Sequence, residues 1–182
     1  VCNSAGVCNC ASFGTTIHFR TGDVMHLKYM GAENGLCVSF GQGRPDAGCG
    51  SQGCTGHESS DATLQNCDTT DQYQLFKAMG DMREVFLLSS AATDSNGRDL
   101  CVYVGTSDDH GQCEPMTLAV CDAEDQRQQF RAEAYDGSTV WRNVGTGLAI
   151  DVNSYANRVD NWVWACPGSN NAKKFDVLAV SD

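Results

Sequence analysis

Basic side chains are scarce in this chain: twelve Lys and Arg stand against twenty-three Asp and Glu, a formal net charge of −11. Phosphate backbones and anionic membranes are gripped by clustered cations, so nucleic acid and charged lipid surfaces are not expected partners. No apolar run approaches the ~20 residues a membrane-spanning helix needs, and no membrane insertion is expected. Catalytic signatures are missing as well. The sequence contains no Gly-x-Ser-x-Gly, His-Glu-x-x-His or phosphate-binding loop, and its four histidines, His18, His26, His57 and His110, fall in none of the known hydrolase motifs. Carboxylates abound, but no pair is singled out by spacing, so an enzyme is not expected. Each Asn, including Asn3, Asn9, Asn66 and Asn153, lacks Ser or Thr two residues on, which excludes an N-linked glycan on the chain itself. An apolar leader is also absent, and the sequence starts at Val1; the expectation is an N-terminus from which any signal segment has been trimmed.

Cysteine, by contrast, is abundant. Eleven in 182 residues point to an oxidising compartment and a disulfide framework, hence a secreted chain. Eleven is odd, so at least one thiol is free or pairs with another chain. Apolar residues make up 41% of the chain, enough for one buried core. Cys2, Cys8 and Cys10 crowd the N-terminus, and Cys49 and Cys54 flank a short stretch of a Gly-rich insertion, "GQGRPDAGCGSQGCTGHESS" (41–60). A Cys49–Cys54 bridge would staple that insertion. A zinc site from Cys49, Cys54 and His57 with Cys8 and Cys10 is the competing reading; in a loop-rich, cysteine-dense chain of an oxidising compartment disulfides are preferred, and no metal or other cofactor is expected. The acidic "SDD" (107–109) reads as a solvated loop rather than a calcium site.

The organising feature is repetition. "TLQNCDTTDQYQLFKA" (63–78) and "TLAVCDAEDQRQQFRA" (117–132) share Thr-Leu, Cys-Asp, Asp-Gln and Gln-x-Phe in register. Upstream of them lie "GLCVSF" (35–40) and "DLCVYV" (99–104), with a third instance in "GLAIDV" (147–152). Cys67, Cys121 and Cys166 each precede a Phe by nine positions, at Phe76, Phe130 and Phe175. A further alternating run opens each unit: "VMHLKYM" (24–30), "EVFLLSS" (84–90) and "TVWRNV" (139–144). Period-two alternation broken by Gly, Asn and Asp predicts strands and turns, about four strands per unit and three units. Units that cannot bury their own faces must pack on one another. Against this, "EDQRQQFRAEA" (124–134) and "DQYQLFKAM" (71–79) have good helix propensity; a one-turn helix before each Phe would reconcile the two signals.

Gly-Leu-Cys-Val, then twenty to thirty residues, then Cys and Gln-x-aromatic, resembles the ricin-type lectin domain. The closing motif stands here as Gln74-Leu75-Phe76, Gln128-Gln129-Phe130 and the degraded Lys173-Lys174-Phe175, with Phe replacing the usual Trp. The resemblance covers roughly residues 24–178. It implies an all-β chain, a β-trefoil of three four-stranded repeats with pseudo-threefold symmetry (about 24–80, 81–135 and 136–182) preceded by a Cys-rich extension over 1–23. It further implies in-unit disulfides Cys37–Cys67 and Cys101–Cys121, worth roughly 3–4 kcal/mol each by loop entropy. In the third unit Ala149 replaces the first cysteine, so Cys166 is expected either to bond the N-terminal extension or to be the odd thiol.

A sugar presents hydroxyls beside a patch of C–H bonds, so its receptor needs an aromatic face and a carboxylate or amide. By the resemblance, the carboxylate follows Leu-Cys-Val, the aromatic sits two residues before the second cysteine, and an amide precedes the closing motif. The third unit carries Asp151 and Trp164 in the first two positions. Ala172 departs from the pattern at the third, where Asn171 or Asn170 would substitute; Trp162, Asn153 and Tyr155 would complete the rim. The first unit has Ser39 and Gln65, the second Tyr103 and Ala119, and both are expected to be silent. The implied partners are glycans, with galactose-type sugars among the candidates. The alternative is a sugar-silent trefoil acting as a structural subunit, joined to a protein partner through its odd cysteine.

Overall fold

A computed structural model of the chain describes residues 22–30, 35–40, 62–80, 86–105, 113–135, 138–152, 163–167 and 175–179. These form twelve strands: β1 (Val24–Tyr29), β2 (Leu36–Phe40), β3 (Ala62–Asn66), β4 (Phe76–Met79), β5 (Phe86–Thr93), β6 (Asp99–Val104), β7 (Met116–Val120), β8 (Gln129–Tyr135), β9 (Ser138–Asn143), β10 (Ala149–Val152), β11 (Val163–Cys166) and β12 (Phe175–Ala179). The chain is all-β, and each predicted repeat contributes four strands. No helix occurs among the described residues. Before Phe76 and Phe130 the expected helical turn is instead a tight turn, in which Gln74 N–H donates to the Asp71 carbonyl and Gln128 N–H to the Asp125 carbonyl, both at 2.9 Å; the stretch before Phe175 lies outside the described residues.

Pairing explains the threefold pattern. β1 pairs with β4, β4 with β5, β5 with β8, β8 with β9, β9 with β12 and β12 with β1, all antiparallel. Six strands, two from each unit, thus close into a ring that leaves no edge among them. The other six form three hairpins, β2–β3, β6–β7 and β10–β11, one per unit. Each hangs on the ring by the same contact, Lys28 opposite Cys37, Ser89 opposite Cys101, and Arg142 opposite Ala149. Gly35 and Gly147 lead into β2 and β10 with φ of 64° and 72°, a turn conformation that L side chains avoid.

The core sits inside ring and hairpins. Phe76, Phe130 and Phe175, the aromatics that close the three units, are fully buried, together with Phe40, Leu64, Leu88, Met116, Trp141 and Ile150. Replacement of Trp by Phe in the closing motif therefore leaves its packing role intact. Gln74 and Gln128, two residues before Phe76 and Phe130, are buried as well. Gln74 Nε2 donates to the Asn66 carbonyl while its Oε1 accepts from Asp68 N–H, both at 3.1 Å. Gln128 repeats the arrangement with the Val120 carbonyl and Asp122 N–H, at 3.0 and 2.9 Å. The shared Cys-Asp…Asp-Gln-x-Gln-x-Phe string is thus a strand-to-turn clamp.

Two disulfides follow the resemblance, Cys37–Cys67 and Cys101–Cys121. The third corrects an expectation. Cys166 bonds neither the N-terminal extension nor nothing; it pairs with Cys113 of the second unit. Ala149, fully buried in the place of Cys37 and Cys101, offers no sulfur, and the second unit supplies one. The anticipated Cys49–Cys54 bridge and the Cys-rich segment 1–21 lie outside the described residues.

Candidate functional site

In the third unit, β10 and β11 pair so that Ala149 faces Cys166, Ile150 faces Ala165, Asp151 faces Trp164 and Val152 faces Val163. Alternation sends Ile150, Val152, Val163 and Ala165 into the core, where all are fully buried. Asp151 and Trp164 therefore share the opposite face as a direct cross-strand pair, whose side chains are lateral neighbours on the sheet. Trp164 is half-buried, and Asp151 is 9% exposed. Burial strengthens whatever hydrogen bond that carboxylate accepts, since little water competes for it.

A residue from another unit joins them. Tyr29, at the end of β1, is buried with its ring 5.8 Å from that of Phe175. Its phenol is pushed above the ordinary tyrosine value, first by burial and then by the negative charge of Asp151. Sequence spacing cannot reveal this neighbour, because the ring closure between β1 and β12 brings it in from the far end of the chain. Asn153, Tyr155, Trp162, Asn170 and Asn171, the anticipated rim, lie outside the described residues.

The equivalent positions elsewhere are different. Ser39 is fully buried, and its hydroxyl has no hydrogen-bond partner among the described residues. Gln65 donates to the Thr63 hydroxyl at 3.1 Å along its own strand. In the second unit Tyr103 faces Thr117, and Ala119 faces Cys101. Neither hairpin sets an acid against an aromatic. The first unit does carry a polar cleft of about 490 Å³, lined by Gln65, Asn66, Cys67, Asp68, Thr69, Asp71 and Gln74. Its acids are already engaged in the turn: Asp68 accepts from the Thr70 N–H and hydroxyl, and Asp71 from Tyr73 N–H and the Gln74 amide.

No family model matches the chain, and no characterised protein matches it by sequence. Solved structures do. A designed threefold-symmetric protein, ThreeFoil, superposes with a TM-score of 0.60 at 11% identity, over 86% of this chain and 99% of its own. The chain is a β-trefoil. The C-half of the earthworm R-type lectin, solved with GalNAc, matches this trefoil with a TM-score of 0.51 at 12% identity, covering 87% of this chain and 99% of that one. SeviL, bound to asialo-GM1 saccharide, matches it at 0.53 and 13% identity, over 87% and 98% of the two chains. At such identities the likeness establishes the fold alone.

Proposed function

We propose that this trefoil is a carbohydrate-binding, lectin-like protein with one main sugar site on its third unit, working outside the reducing cytosol. The observation that carries the reading is the cross-strand pair of Asp151 and Trp164 on the face of β10 and β11 turned away from the core. A desolvated carboxylate accepts hydroxyl protons, while the half-buried indole offers a stacking face to sugar C–H bonds. Two trefoils of similar fold were solved with GalNAc and with asialo-GM1 saccharide, which makes galactose-type glycans the first ligands to try. The first and second hairpins are silent in this reading. Asn153, Tyr155, Trp162 and Asn171 complete the rim, and the site holds sugar without transforming it. One site gives weak, roughly millimolar binding, so useful avidity comes from arraying copies.

A glycan array on the whole chain tests this. Asp151→Ala and Trp164→Ala are each expected to lower binding about tenfold or more, the loss of one hydrogen-bonded or stacked contact. Undiminished binding in both variants places any sugar site elsewhere.

A second reading rests on cysteine parity. Six of the eleven cysteines form the three bridges described, leaving five, an odd number. One of Cys2, Cys8, Cys10, Cys49 and Cys54 is then available to join a partner, making the trefoil a disulfide-linked subunit. Native material run on a non-reducing gel separates the two readings: a larger band that collapses on reduction supports assembly, and a single monomer band rejects it.

A further inference from the structure

The three hairpins are not paired alike. In the first, Ser39 stands opposite Thr63, four residues before Cys67; in the second, Tyr103 stands opposite Thr117, four residues before Cys121. In the third, Asp151 stands opposite Trp164, two residues before Cys166. Relative to its sisters, β11 is displaced by two residues along its partner. Because side chains alternate with period two, such a displacement turns no residue from one face to the other. Alternation therefore does not choose between the two registers, and another interaction must.

In the first two units the second cysteine is tied to its own hairpin. Ala149 forbids that here, and Cys166 is held from outside by Cys113. The backbone beside the disulfide is held too. Glu114 N–H donates to the Ala165 carbonyl at 2.7 Å, and Ala165 N–H returns a bond to the Glu114 carbonyl at 2.9 Å. Residues 113–115 thus run along the outer edge of β11, and the register of this bridge sets Pro115 opposite Trp164. The clamp is anchored in the second unit, where Gly105 N–H donates to the Pro115 carbonyl at 2.8 Å. A Cβ at Gly105 would come within 3.1 Å of Pro115 Cγ, so the approach is already close.

We propose that the Cys113–Cys166 clamp is a positioning device that selects Trp164 as the aromatic partner of Asp151. Released, β11 can slide by two residues into the register its sisters use. That register sets position 162, also Trp, opposite Asp151 and carries Trp164 roughly 7 Å along the strand. Two tryptophans spaced by two make the choice consequential, since either can stand across from the acid. The consequence for sugar binding rests on the reading of the third unit as the sugar site; the placement of Trp164 does not.

The test uses the whole chain labelled with 5-fluorotryptophan, its Trp164 resonance assigned through Trp164→Phe. In Cys113→Ser/Cys166→Ser that resonance is expected to shift while the core residue Trp141 stays put, and glycan binding to fall about tenfold. Cys37→Ser/Cys67→Ser is the control. It is expected to lower Tm yet leave both the Trp164 signal and binding near wild type, which a merely stabilising role for the clamp does not predict. An unchanged Trp164 resonance in Cys113→Ser/Cys166→Ser overturns the proposal, and so does an equal disturbance in the control. If the clamp variant does not fold, Cys113→Ala/Cys166→Ala removes the same bridge without adding a buried hydroxyl, and the same shift or its absence decides. A wild-type chain that binds no glycan sinks the sugar reading, while the fluorine spectra still rule on the clamp.

Discussion

His26 lies on β1 with 3% of its surface exposed, and among the described residues neither ring nitrogen has a partner of full hydrogen-bond geometry. Burial pushes its pKa below the ordinary value, against the Gln74 backbone and the charges of Asp68 and Asp71, which favour the imidazolium. A lowered pKa means that the folded chain holds His26 neutral while the unfolded chain takes up a proton near pH 6.5. The contribution is therefore complete above that pH and is lost as pH falls through the folded value. Tm measured from pH 8 down to 5 is expected to decline, and His26→Phe to flatten the decline. An identical slope in the variant assigns it to other groups. Asp94 acts in a more acidic window. Its carboxylate, bonded by the Arg98 N–H and guanidinium and by Asn96 N–H, is held down to about 2. Its share is present above pH 4 and fades only toward pH 2, which keeps the two effects separable.

Among the elements, much was legible because each unit writes the same instructions. Alternating runs, turn residues and the Cys-to-Phe spacing located the strands and the closing aromatics, and the resemblance to the ricin-type domain supplied the first two disulfides. Helix propensity over 124–134 misled because Asp71 and Asp125 cap their turns, accepting from Tyr73 and Arg127 N–H at 3.0 and 2.9 Å. Gln74 and Gln128 then spend their amides on the preceding strand, a competition that propensity scales do not include. Gln74→Ala and Gln128→Ala are each expected to cost about 2–3 kcal/mol, since backbone groups are left unpaired. Urea midpoints check this, and a cost below about 0.5 kcal/mol in either rejects the clamp for that unit. The Cys113–Cys166 bridge was not legible. It joins different units, and the spacing of 53 residues follows no repeat.

For the whole molecule, the decisive fact is ring closure through β1 and β12. It brings Tyr29 of the first unit toward Asp151 of the third, so part of the candidate site belongs to the fold and to no single repeat. Closure also makes the core a shared property: Phe76, Phe130 and Phe175 come one from each unit, and all three are fully buried. If pseudo-threefold symmetry governs packing, truncating any one opens a comparable cavity, although the units share little sequence elsewhere. Phe76→Ala, Phe130→Ala and Phe175→Ala are each expected to destabilise by about 3–5 kcal/mol. The third carries the sharper test, because its unit has lost the closing Gln and its own disulfide. Chemical denaturation of the three variants decides: similar losses show that the core averages over the units. A Phe175→Ala cost under about 1 kcal/mol, the level of an ordinary substitution, makes the third unit a separately stabilised lobe held by the Cys113 clamp.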